Sequence, residues 1–172
     1  MATAPIPRVS AAEYTKLEEE NRERFEYLNG EVFAMSGGAL AHNQIATSMM
    51  EQIRVSVKGK GCETLGSDQR VVVLATGLET YPDVSVYRGK AQLAGVNQMA
   101  IANPVVLVEV LSKSTEVYDR GEKSAHYRRA GTNEWVLSEF ADESAILELA
   151  NLGIEIPIAT IYDGVAFEAG EG

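Results

Sequence analysis

The chain has 172 residues, 45% of them hydrophobic and 23% charged, a length and balance that suit one globular domain with a real core. Its 25 acids against 15 bases leave a net charge of −10, and its one cysteine, Cys62, excludes an internal disulfide framework and any multi-thiolate metal site. No start resembling a signal peptide and no apolar run of membrane-spanning length is visible, so the expectation is a cytoplasmic protein without membrane contact.

In chain order, residues 1–9 carry Pro5 and Pro7 and read as a loose arm. Ser10 and Glu13 have the spacing of a capping box that starts a polar helix through about Arg22. Strand-like runs 24–28 and 31–35 flank Asn29-Gly30, the two-residue signal of a β-hairpin. Glu31 opens the return strand, either as an exposed hairpin partner or as an outer acid of a nearby site. Gly37-Gly38 breaks the chain before a helix over about 41–57, whose Ile45, Met49 and Ile53 recur every four residues and should pack on a sheet. His42 lies at the start of that helix, where free amides favour an anion; it is a structural cap or a phosphate contact.

A turn over 58–61 precedes strands near 62–65 and 69–75, and Thr76-Gly77 turns the chain toward a β-branched strand over 83–88. Residues 89–103 lack a clear period and read as a mobile loop near a binding cleft. The run over 105–111 reads as a strand buried on both faces. Asp119 has the look of a helix N-cap, Lys123 and Tyr127 share a helix face, and Gly131 ends that helix. A strand over 134–138, parallel through the helical crossover, and short strands over 147–149, 152–156 and 161–165 complete the series. Tyr127 either orients the lysine or packs.

Glu109 stands out in this pattern. A carboxylate among branched apolar residues costs several kcal/mol of desolvation unless a cation or a set of donors meets it. If strands 83–88 and 105–111 are antiparallel neighbours, Asp83, at the start of the first, comes near Glu109, at the end of the second. Two carboxylates at adjacent strand ends suit Mg2+ or Mn2+, hard cations that keep waters which can be activated.

The strings Tyr81-Pro82-Asp83-Val84, Val108-Glu109-Val110-Leu111-Ser112, Ser114-Thr115, Tyr118-Asp119-Arg120-Gly121-Glu122-Lys123 and His126-Tyr127-Arg128-Arg129 resemble the Uma-two family, in the PD-(D/E)XK superfamily of nucleases. Glu26-Tyr27-Leu28-Asn29-Gly30-Glu31, Ala34-Met35, Gly37-Gly38 and His42-Asn43 extend the likeness upstream. The resemblance implies an α/β (α+β) fold with a restriction endonuclease-like core: a central mixed sheet flanked by helices, with an N-terminal helix and hairpin, in one domain over 1–172. It implies a Mg2+- or Mn2+-dependent DNA endonuclease in which Asp83 and Glu109 are metal ligands and a lysine lies close by. In the superfamily's plain motif that lysine stands two residues beyond the acid, where this chain has Leu111, so Lys123 on the next helix takes the role, with Lys113 as its competitor. One hairpin of the family pattern is missing near Glu134-Trp135.

The charge balance pulls the other way. Phosphate neutralisation supplies much of nucleic-acid affinity, so an acidic chain has to concentrate its bases. Lys113, Arg120, Lys123, Arg128 and Arg129 form one such group, and Arg54, Lys58 and Lys60 another. The alternative is a non-catalytic nucleic-acid or protein-binding module on the nuclease scaffold; a homo-oligomer formed through paired strand edges also stays open.

Overall fold

A computed structural model describes residues 8–21, 23–35, 37–112, 115–129, 142 and 144–167. Helix α1 (Ala11–Asn21) starts on the reciprocal cap: the Ser10 amide donates to Glu13 Oε2 at 2.7 Å and the Glu13 amide to Ser10 Oγ at 3.3 Å. Strands β1 (Phe25–Leu28) and β2 (Glu31–Ala34) are joined by Asn29 and Gly30, whose φ angles of 50° and 96° match the twist of the hairpin. Helix α2 (Leu40–Ser56) follows.

Strands β3 (Cys62–Gly66), β4 (Val71–Val73), β5 (Leu78–Thr80) and β6 (Val84–Arg88) come next. The short pair β7 (Leu93–Ala94) and β8 (Ala100–Ile101) encloses a single 3-10 turn, and β9 (Pro104–Val108) follows it. Helix α3 (Glu116–Tyr118) passes through a π-helical segment, Asp119–Lys123, into α4 (Ser124–Tyr127). Strands β10 (Ile146–Leu149) and β11 (Ile154–Pro157) and helix α5 (Ile158–Tyr162) end the described chain.

The strands form a six-stranded mixed sheet in the order β2-β1-β5-β4-β8-β7, a three-stranded sheet β3-β6-β9 and the β10-β11 pair. The ladders are antiparallel except for β4 beside β8. Ile53 and Val57, on the apolar side of α2, pack with Val84 and Val86 of β6 and with Ile154, Ile156 and Ile161, so the helix that carries His42 is fixed against the strand that begins after Asp83. Val73, Leu78 and Tyr127 make a second, smaller cluster beneath the six-stranded sheet.

Four sequence expectations need correction. β9 ends at Val108 instead of running to residue 111, because the Val110 amide leaves the ladder and donates to Asp83 Oδ2 at 2.7 Å. Its residues are half-buried, and its expected neighbour over 134–138 lies outside the described residues, as does Gly131. Residues 89–103 contain β7 and β8, tied to the body by Asn97 donating to Thr15 Oγ1 at 2.9 Å, and line no part of the cavity described below. Asp119 is an interior helical residue, the start lying at Thr115, and residues 158–162 are helical because burying Ile161 against α2 overrides the β preference of Ile158, Thr160 and Ile161.

Ile53 has no exposed surface and joins α2 to β6. Ile53→Ala should therefore cost about 3 kcal/mol of unfolding free energy, read from the urea midpoint at unchanged slope; a loss under about 1 kcal/mol would show that α2 does not seal this core.

Candidate functional site

Asp83 and Glu109 meet through the β6–β9 ladder. Val84 pairs with Val108, so the residue before the first strand and the residue after the second stand at one end of the sheet. Pro82, fully buried, fixes the entry to β6 without needing a donor. Asp83 accepts the Val110 amide on Oδ2 and the ring of His42 on Oδ1, where Nε2 stands at 2.9 Å. A carboxylate only accepts, so His42 Nε2 carries the hydrogen of this contact. His42 Nδ1 is buried and has no hydrogen-bond partner among the described residues.

Glu109 Oε1 receives two groups: Lys123 Nζ at 2.9 Å and the Tyr127 hydroxyl at 2.5 Å. Lys123 is only 3% exposed and forms a second ion pair, also at 2.9 Å, with Glu26 Oε1, while Asp119 stands at 3.8 Å. Burial pushes the Glu109 carboxyl up to about 7 against the pull of Lys123 and Tyr127, and the charge of Asp83 raises it further. For Lys123 burial works toward the neutral amine, but Glu109 and Glu26 outweigh it and hold the side chain as an ammonium well beyond neutral pH.

The π-helical segment brings Lys123 to this point. The Ser124 amide reaches back five residues to the Asp119 carbonyl, which widens the turn and resets the phase of the helix just where Lys123 turns inward. Tyr127, one turn on, is buried in the second core cluster and also bonds Glu109, so it both packs and orients, though its target is the glutamate and not the lysine.

Glu26 was not expected at the site. On β1 it is 4% exposed, accepts the hydroxyl of Tyr118 at 2.8 Å and that of Thr80, and pairs with Lys123. The signal was present in the sequence, since Glu26 is a lone acid between Phe25 and Tyr27, the same anomaly that marks Glu109. Glu31 is exposed, pairs across the hairpin with Leu28 and does not line the cavity. Arg128 and Arg129 are exposed and equally absent from its lining, while Lys113 lies outside the described residues.

Asp83, Glu109, Lys123, Glu26 and His42 open into a cavity of about 600 Å³. Among the described residues no group of three or more His, Cys, Asp and Glu side chains forms a metal cage. A pair of carboxylates is nevertheless the donor set that Mg2+ commonly uses, with waters and substrate phosphate oxygens completing the shell. Among the described residues both partners of Glu109 sit on Oε1, leaving Oε2 for another ligand, and each Asp83 oxygen has one partner. The residues present therefore fit an open, oxygen-liganded divalent ion.

The family model described as "Uma2: Putative restriction endonuclease" matches residues 11–148. Two Synechocystis sp. proteins are similar over nearly their whole length. Uncharacterized protein slr1290 is 32% identical over 187 residues, covering 96% of this chain and 97% of its own, and uncharacterized protein sll1609 is 26% identical over 176 residues, covering 90% and 99%. A crystal structure of "a putative nuclease belonging to DUF820" from Anabaena variabilis superposes with a TM-score of 0.71 at 17% identity, covering 92% of this chain and 99% of that one. At that identity the likeness shows the fold, a mixed α/β architecture with the sheet flanked by helices.

The buried charges give a test independent of activity. Lys123→Met leaves Glu26 and Glu109 facing each other without their ammonium, and should lower stability by about 3 kcal/mol. Adding Glu26→Gln should restore part of that loss in the same denaturation experiment; equal losses in the single and double variants would mean that the carboxylates do not depend on Lys123.

Proposed function

Since the chain belongs to the Uma2 family, whose model carries the description "Putative restriction endonuclease", we propose that it is a Mg2+-dependent endonuclease that hydrolyses DNA phosphodiester bonds at Asp83, Glu109 and Lys123. The observation that carries the reading is the convergence of two carboxylates from adjacent strand ends and a buried ammonium on one open cavity. Bound there, Mg2+ or Mn2+ would supply Lewis acidity and a water of lowered pKa.

The chain's own groups divide the remaining work. Asp83 and Glu109 present oxygens from two backbones locked by the β6–β9 ladder, so their spacing is set before a substrate arrives. His42 donates to Asp83 and fixes the plane of its carboxylate, an outer-sphere role in metal sites. Lys123 pulls Glu109 toward its ionised form, against the burial that raises the carboxyl to about 7, and holds it in place. Its ammonium has three hydrogens and two carboxylates within 3 Å, so one hydrogen is left for a water or a phosphate oxygen as charge develops there. Because Lys123 keeps its proton, it acts as a charge donor and not as the base.

The competing reading, a binding module without catalysis, draws on the net charge of −10. Purified protein with Mg2+ or Mn2+ should nick DNA, and both Glu109→Gln and Asp83→Asn should reduce this to background while the circular dichroism spectrum stays unchanged. Lys123→Gln should slow cleavage by about 10²-fold with the metal midpoint nearly kept. Cleavage by Glu109→Gln at the parent rate would remove the mechanism, and no cleavage by the parent at millimolar metal would favour the module.

A further inference from the structure

The cavity is acidic at its floor and apolar at its rim. Glu26, Asp83, Glu109, Asp119 and Glu122 line it, and among the described lining residues the one lysine is Lys123, already paired with two carboxylates. A protein that grips duplex DNA does so mostly by neutralising phosphates with lysine and arginine, and a duplex hides the faces of its bases. Unpaired strands offer those faces, and stacking on aromatic rings replaces much of the ionic grip.

Phe33 supplies such a ring. In the β1–β2 register it lies directly opposite Glu26, so the two side chains share a face of the sheet. Glu26 reaches inward to Lys123, and Phe33 stays 44% exposed while lining the cavity. Leu111 and Phe167, 39% and 57% exposed, continue the apolar rim. Large apolar side chains left in water around a polar floor mark a binding site more often than chance.

Resting on the reading of this site as one that cleaves phosphodiesters, we infer that its substrate is an unpaired DNA strand, with one base stacked on Phe33 and the adjoining phosphate directed to Asp83 and Glu109. Base stacking brings the strand in; the carboxylates, once loaded with a divalent ion, take the phosphate. The acidic surface is then compatible with the activity, because it disfavours long runs of duplex while leaving a short single-stranded contact in place.

Binding separates this inference from catalysis. With Ca2+ in place of Mg2+, fluorescence anisotropy of the full chain should show labelled oligothymidine bound at least tenfold more tightly than its duplex with oligoadenine. Phe33→Ala should weaken single-strand binding about tenfold, Phe33→Trp should retain it, and Phe33→Leu, which keeps the apolar bulk without a flat ring, should behave like the alanine variant. Duplex bound as well as single strand, or Phe33→Ala without effect, overturns the inference even if Glu109-dependent cleavage stands. Should Phe33→Ala instead dissociate a dimer in sedimentation while oligothymidine affinity stays constant, the rim is a contact between copies and the inference also falls. Phe33-dependent single-strand binding without cleavage in Mg2+ would keep this inference and defeat the endonuclease reading.

Discussion

The structure depends on one ammonium group placed between two carboxylates out of water. Lys123 comes from the helix after β9, Glu109 from the end of β9 and Glu26 from β1, and each would lose several kcal/mol of hydration if buried alone. The three elements are therefore coupled: the hairpin, the β6–β9 ladder and the helix have to arrive together or leave charge stranded. Two carboxylates against one ammonium also leave the group short of positive charge, and Asp119 and Asp83 deepen the deficit. The rise of the Glu109 carboxyl to about 7 comes chiefly from burial and partly from that imbalance, which a divalent ion would relieve.

A second buried charge, Arg70, lies against Tyr81, two residues before Asp83. Arg70 pairs with Glu18 at 2.6 Å and Glu79 at 3.1 Å, donates to the Tyr81 hydroxyl at 3.1 Å and lies 5.0 Å from the centre of the Tyr14 ring. Tyr81 also donates to Glu18 at 2.8 Å. Helix α1 is thus tied to the residue two positions before Asp83, and the entry to β6 is held from both sides, by Arg70 through Tyr81 and by the buried ring of Pro82. Burial raises the Tyr81 phenol despite the nearby guanidinium, which keeps it a hydrogen-bond donor throughout the physiological range.

Much of this was legible in the sequence where a residue contradicted its surroundings. Glu109 in an apolar run was marked by its cost, while Asp83, at the start of a β-branched run, joined it only on the supposition of an antiparallel pairing, which the β6–β9 ladder bears out. Lys123 was reached through resemblance, since no local period announces a π-helical turn. Glu26 carried the same contradiction as Glu109 but sat in a short hairpin, where alternation suggests a solvent-facing acid. The end of β9 was misjudged for a tertiary reason: an Asp83 oxygen competes for the Val110 amide, and no reading of residues 105–111 alone contains Asp83. The helix over 158–162 is of the same kind, its β-branched residues being recruited by the space beneath α2.

The extra residue in the Asp119–Lys123 turn makes this centre depend on chain length as well as on chemistry. Each position along a helix is worth about 100° of rotation, so removing even an unremarkable residue there would swing the ammonium to the outer surface and leave its two carboxylates behind. Gly121, whose missing Cβ would meet nothing within 4 Å, has open space for a side chain but stands in a stretch whose count has to be preserved. At Gly121 one residue is thus free to replace another, whereas insertion or loss is closed to it.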